Sequence, residues 1–414
     1  IQYSRVAIEM ELAVLFLLLA MSSFFAGDRK PFFYVISAAF FGLSFYTYHA
    51  SKLFGLIFGS LMFLFYGTRT PYRFVGWGLF ILMTVPYFYL LKTGNIGLRP
   101  YAISVFADQE AILSEVKNMQ SDLYSGNQFA RLIHNRRLDR LNQAMNGYLK
   151  MFSPLILFAP GEYNQIPTTR LLFLWLLPLI LIGMVKNPLR RNYQWLLWLW
   201  LLLGLIPGGL TVLPPYDRRI LVVSYPLLLW SVLGMNQLFH FFRNSLILRL
   251  LPVGFALLIL TSLSFYLDNY FVHGKNAVVN LWGNGMAELV AQVTTEKTRY
   301  QQVVVSVTLN QPLIFFLYYE HYSPRKYLFD GGTINGGYLD ERNHFEGYAF
   351  KFIKKEDLRP QTLYVWSAAE SQPCLTTLQT TYFSNQQPHA HLGIFNPDLP
   401  DCKNLPASPG HNFQ

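Results

Sequence analysis

Charge is scarce in this chain: only 14% of its 414 residues are Asp, Glu, Lys or Arg, against 52% hydrophobic and 17% aromatic. That balance argues for a membrane protein rather than a soluble globule. Several chemical signatures are also absent. There is no HExxH, no CxxC and no DxD-like acidic cluster, so no metal-site spacing appears. Glycine-rich nucleotide loops are missing too, which argues against a nucleotide-sugar or ATP substrate and favours a lipid-linked one. The net charge of +10 comes without a basic run interleaved with a soluble recognition module, so no nucleic acid partner is expected. No initial Met or signal peptide is present: Ile1-Gln2-Tyr3-Ser4-Arg5 leads straight into an apolar run, as in a fragment whose upstream spans are missing. Cysteine is limited to Cys374 and Cys402, for which a disulfide and two free thiols are equally compatible with the sequence.

What the chain does contain is long apolar runs. Crossing ~30 Å of hydrocarbon takes ~20 helical residues. About eight runs read as spans, roughly 8–26, 31–47, 52–67, 74–92, 169–186, 194–211, 220–236 and 248–267. The loops between them divide by charge. Arg69 to Arg73, Lys186 to Arg191, Arg243 to Arg249 and the Asp28-Arg29-Lys30 turn fall on one side, which the positive-inside bias makes cytoplasmic. Parity then puts the amino end, the Thr47–Lys52 turn, residues 93–168, the Pro207–Arg219 loop and everything after Asp268 outside. The expected architecture is a membrane all-α bundle over residues 1–268, followed by a small soluble α/β domain over 269–395 and an extended or disordered tail over 396–414.

Within residues 93–168, two helical runs are expected. Ala111, Ile112, Leu113, Val116, Met119 and Leu123 recur at helical spacing, as do Phe129, Leu132, Ile133, Leu138, Leu141, Met145 and Leu149 opposite Arg131, Arg136, Arg137 and Arg140. Such helices suit the membrane interface, and equally a lid packed on other helices. In the soluble region, Met286–Thr295 and Gln311–Tyr322 read as helices, and Gln302–Val307, Thr362–Ser367 and His391–Phe395 as strands.

Candidate chemistry gathers on the external side. Arg5 and Glu9, four residues apart, share a helix face where a span meets the interface, either as a structural pair or as part of a site. Tyr48, His49 and Lys52 lie in the turn between two spans, where a cation and a donor suit an anionic group such as phosphate. Interfacial anchoring is the plainer reading of that turn. Arg99, Arg218 and Arg219 run against the positive-inside bias, which binding an anion or pairing with Glu9, Asp217 or Glu162 would explain. His134 is placed to touch phosphate or lipid headgroups.

Five segments in order resemble one family. Ser4-Arg5-Val6-Ala7-Ile8-Glu9 resembles the "SR-x-A-x-E" span start of bacterial relatives of protein O-mannosyltransferases and lipid A aminoarabinose transferases. Gly42 to His49 resembles their "GLS-x-YTYH" turn, and Arg99 with Ile103-Ser104-Val105-Phe106 their "R…VSIF" segment. His134-Asn135-Arg136, Tyr148-Leu149, Phe152-Ser153-Pro154, Leu157-Phe158 and Gly161-Glu162 complete the series, with Glu162 where the family has Asp and Lys52 where it has Arg. The resemblance implies a GT-C fold integral-membrane glycosyltransferase. Such an enzyme moves a sugar from a polyprenyl-phosphate carrier to a glycan, lipid or protein acceptor on the extracytoplasmic face of a bacterial or archaeal cell membrane, usually with inversion. It implies Glu9, held by Arg5, as the second acidic position, and a general base upstream of this chain. No cofactor is implied with certainty, and a divalent metal stays open. Lys52, Arg99, Arg218, Arg219 and His49 would face the donor phosphate, while Tyr48, His134 and Glu162 would position acceptor or loop. Two rival readings are a transporter or flippase of lipid-linked sugars and a non-enzymatic envelope-assembly subunit. The transporter would be expected to carry charges near mid-span.

Overall fold

The computed structural model describes residues 9–93, 104–106, 109–126, 136–158, 171–186, 189–211, 217–243, 247–274, 279, 283–309, 311–330 and 344–402. They belong to two compact units, Ile1–Val272 and His273–Gln414.

The first unit is helical. Its elements are α1 (Glu9–Ala26), α2 (Phe33–Thr47), α3 (His49–Phe65), α4 (Pro71–Thr93), α5 (Gln109–Tyr124), α6 (Arg136–Lys150), α7 (Pro154–Phe158), α8 (Leu176–Val185), α9 (Arg191–Gly209), a 3-10 segment Asp217–Val223, α10 (Ser224–Phe241) and α11 (Ile247–Asp268). Each expected span contains a helix, but among the described residues four stretches are both long and apolar enough to cross a membrane: Glu9–Ala26, Pro71–Thr93, Arg219–Phe241 and Leu250–His273. The others, α2, α3 and α8, are shorter, and α9 opens on polar Asn192, Tyr193 and Gln194. In Leu250–His273 none of the apolar stretch is buried within the chain. A helix that apolar and that uncovered needs hydrocarbon or another chain around it.

Aromatic side chains fill the core. Phe24, Tyr34, Phe41, Phe58, Phe63 and Phe80 from α1 to α4 are wholly buried, and Trp200 and Trp230 close the cluster from α9 and α10. Between α1 and α2 two buried serines seven residues apart bind the neighbouring backbone. Ser37 Oγ donates to the Ala20 carbonyl at 2.7 Å and Ser44 Oγ to that of Ala13 at 2.8 Å. Small hydroxyl residues of this kind let apolar helices approach closely and join by hydrogen bonds.

The turns at the far end of these helices are tied together. Asp28 accepts from Tyr34 Oη at 2.7 Å and from the Thr68 amide at 2.8 Å, joining the α1–α2 turn to the α3–α4 turn. Gly67 passes beneath Tyr34 at φ +75°, where a Cβ would lie 2.6 Å from the phenol oxygen. Arg73, counted from sequence as a loop charge, is 3% exposed and donates to the Tyr66 and Gly67 carbonyls. It serves the turn rather than the solvent.

The second unit begins at His273, close to the expected boundary at 269. Its six-stranded sheet has the order β2-β3-β1-β4-β6-β5, with β1 (Gln302–Val305), β2 (His344–Phe345), β3 (Tyr348–Phe350), β4 (Thr362–Ser367), β5 (Leu375–Tyr382) and β6 (Pro388–Phe395). Parallel pairing holds β3 and β4 to either side of β1, whereas β6 is antiparallel to both β4 and β5. Helices α12 (Met286–Lys297) and α13 (Pro312–Tyr319) cover one face through Leu289, Val293 and Phe316. The other face buries Val304, Tyr364 and Trp366 beneath the Cys374–Cys402 disulfide. That bridge resolves the choice the sequence left open. It also holds the first residues of the expected tail, where Asn396 donates its amide to the Cys374 carbonyl and a 3-10 turn runs Pro400–Cys402. Residues 403–414 lie outside the described residues.

Candidate functional site

The site is assembled at the end of the first unit where α1 begins, α2 meets α3, and α9 gives way to the 3-10 segment. The α2–α3 turn is held from three directions. Ser44 binds α1; Tyr46 Oη donates to the Met83 carbonyl of α4 at 2.7 Å; Ser51 Oγ donates at 2.7 Å to the Ser44 and Tyr48 carbonyls. Gly42 faces Met83 so closely that any Cβ would collide with its side chain. Most of the Gly42–His49 motif is therefore occupied in locking three helices together, which fixes where Tyr48 sits.

Tyr48 and Arg219, 171 positions apart in sequence, line one narrow cavity of about 20 Å³ together with Met10, Val14, Ser44 and Ser51. That volume suits about one water molecule. Ser44 and Ser51 were not singled out from the sequence; a serine at a helix end is too common to be diagnostic. Glu9 is exposed at the first position of α1, one residue before the lining begins, and Glu11 lies within electrostatic reach of Tyr225 on α10. His49 is exposed, its ring 5.9 Å from that of Tyr48. Lys52 turns toward α4 instead, its ammonium 5.3 Å from the centre of the Tyr87 ring and 6.0 Å from that of Phe45. This is cation–π packing, and Lys52 does not line the cavity. Arg5, Arg99, His134 and Glu162 lie outside the described residues, as does the side chain of Arg218.

Helix α6 docks beside this end. Tyr148 Oη donates to the Leu202 carbonyl of α9 at 3.0 Å, and Gly209 of α9 lies against the Tyr148 backbone. Val105 donates its amide to the Leu210 carbonyl, pinning residues 104–106 to the same corner. The apolar stripe of α6, Leu138, Leu141, Met145 and Leu149, is 54–60% exposed. Of the two sequence readings, this arrangement favours a helix lying in the interface over one whose apolar face packs on neighbouring helices. Opposite that stripe, Arg140 has its Nε and Nη2 enclosed with no hydrogen-bond partner among the described residues. The sequence marked Arg140 only as one of four basic residues on a helix face. Guanidinium N–H groups enclosed without a hydrogen-bond partner are costly and can receive an anion.

Among the described residues no group of three or more His, Cys, Asp or Glu is placed to hold a metal ion. No protein-family model, no curated protein and no solved structure matches the chain.

Proposed function

We propose that this chain is an integral-membrane glycosyltransferase. It moves a sugar from a polyprenyl-phosphate carrier to an acceptor on the extracytoplasmic face, with inversion. One observation carries the reading. Arg219 lines a cavity with Tyr48 at one end of an apolar bundle, and α6, docked beside that end, carries an exposed apolar stripe with the partly enclosed Arg140 opposite it. An ester of phosphate with a long isoprenoid chain needs that combination: hydrocarbon for the lipid and arginine at the interface for the phosphate. The ordered family-like segments support the same reading.

The chemistry follows from charge. Breaking the glycosidic C–O bond leaves negative charge on the carrier phosphate, which Arg219 and Arg140 stabilise. The acceptor hydroxyl loses its proton to a carboxylate general base as it attacks the anomeric carbon, and direct displacement inverts that centre. Glu9, exposed at the start of α1 one residue before the cavity lining begins, orients the acceptor.

The test uses the full protein in liposomes with a panel of radiolabelled polyprenyl-phosphate sugars. Transfer or release that falls by about 10²–10³ in Arg219→Ala, as for loss of a charge-stabilising donor, and is lost in Glu9→Gln supports the reading. Binding without turnover, unchanged by either substitution, sinks it.

A further inference from the structure

The second unit holds a larger cavity, about 230 Å³, at the carboxyl ends of β1 and β4. Its position follows from topology. After β1 the chain passes to the β3 side of the sheet, and it returns on the other side as β4, so the connections leaving these parallel neighbours diverge. A crevice opens there, and in open sheets with parallel strands ligands settle in such crevices. The amino terminus of α12 and the β5–β6 turn close it, contributing Asn284 and, from the turn, Phe383 and Gln387.

Among the described residues the walls carry no charged side chain, and their polar groups sit beside apolar Met286, Leu309 and Phe383. Thr308 Oγ1 donates to Glu370 Oε2 at 2.6 Å and lies 2.8 Å from Ser306 Oγ, which fixes the hydroxyl at the cavity wall. Asn284 clamps the β5–β6 turn by donating to Ser384 Oγ and accepting from the Ser384 amide, both at 2.9 Å. His389 is 6% exposed and packs its ring 4.3 Å, centre to centre, from that of Phe383. Ser367 adds a hydroxyl at the end of β4. Among the described residues no lysine or arginine lines the cavity, and the carboxylate of Glu370, bonded to Thr308, would repel an anion. Hydroxyl, amide and imidazole groups around one aromatic ring match a ligand that presents hydroxyls around an apolar ring face. The volume exceeds what one water needs and falls below the ~300–1,000 Å³ of sites for drug-sized ligands.

We infer that this cavity is a carbohydrate-binding site that takes one neutral monosaccharide unit, free or within a glycan. The inference does not depend on what the membrane unit catalyses.

Saturation-transfer difference NMR on the full chain in a sugar-free detergent tests it. The probes are methyl glycosides of glucose, mannose, galactose and N-acetylglucosamine, with inorganic phosphate as the competing anion. Two exposed positions supply the variants: Ala369→Trp fills the mouth, and Gln387→Ala removes one amide. At least one glycoside should receive saturation from the wild type. Ala369→Trp should abolish it, and Gln387→Ala should weaken binding about tenfold, the equivalent of roughly one hydrogen bond. The inference is overturned if no glycoside binds, if both variants bind as the wild type does, or if phosphate displaces every glycoside.

Discussion

Replacing Gly209 by Ala should loosen the docking of α6 on α9. A Cβ at Gly209 would lie 2.5 Å from the Tyr148 Cα and 2.7 Å from its nitrogen, while a relaxed carbon–carbon contact is ~3.5–4.0 Å. The helices must therefore part by about 1 Å, a gap that forfeits roughly a quarter to a half of each dispersion contact across the seam. Overpacking of this kind costs about 1–3 kcal/mol, and we expect about 2 for Gly209→Ala. Gly147 faces the Gly209 carbonyl oxygen across the same seam, so Gly147→Ala opens the same gap. The double variant should cost little more than either single one, because a gap already opened accommodates the second methyl. Tyr148→Phe is the control. It removes only the exposed bond to the Leu202 carbonyl and should cost about 0.5 kcal/mol. Unfolding in mixed detergent micelles, followed by the tryptophans of α9, reads all four. Fully additive costs, or a Gly209→Ala cost below about 0.5 kcal/mol, would refute the close-approach reasoning.

Three further outcomes follow. Cys374→Ser should destabilise the second unit by about 3–4 kcal/mol, since the bridge closes a loop across 28 positions; equal melting of oxidised and reduced protein would contradict this. Burial pushes the His389 pKa below its ordinary 6.5, against the opposing pull of the Gly285 backbone and Glu288. Folding then favours the neutral ring, so stability from this group is full above pH 6.5 and drains away as pH falls toward the lowered folded value. Melting of His389→Gln should show a shallower acid limb, and an identical limb would remove His389 as its cause. Asp28→Ala, which strips the acceptor from Tyr34 Oη and the Thr68 amide, should cost about 1–2 kcal/mol in the same micelle assay. No change on Asp28→Ala would show that packing and the remaining Tyr34–Thr68 hydrogen bonds suffice to hold the two turns.

The apolar runs were legible because a span must satisfy its backbone internally and present apolar side chains along its length, which composition records directly. Their lengths were less legible: Pro178 sits in the first turn of α8, where proline is tolerated, and the helix begins at Leu176 rather than about seven residues earlier. Strand β4 was readable as Thr-Leu-Tyr-Val-Trp-Ser, all but its last residue buried. β5 was not, because Leu-Thr-Thr-Leu-Gln-Thr-Thr-Tyr is an edge strand with four of its eight residues exposed, which leaves no apolar alternation to detect. The site shows the same limit. Residue type marked Tyr48 and Arg219 as candidates, but only the fold brings them to one cavity, and spacing gave no hint that Lys52 turns away toward Tyr87. The enclosure of Arg140 is a property that a helical wheel does not report.

The central claim is that this end of the bundle receives a lipid phosphate through arginine. Native mass spectrometry of the detergent-solubilised protein with polyprenyl phosphate and with the matching uncharged polyprenol tests it most directly. The account predicts retention of the phosphate by the wild type, loss of it in Arg140→Ala and Arg219→Ala, and poor retention of the alcohol throughout. Equal retention of alcohol and phosphate, indifferent to both arginines, would contradict it.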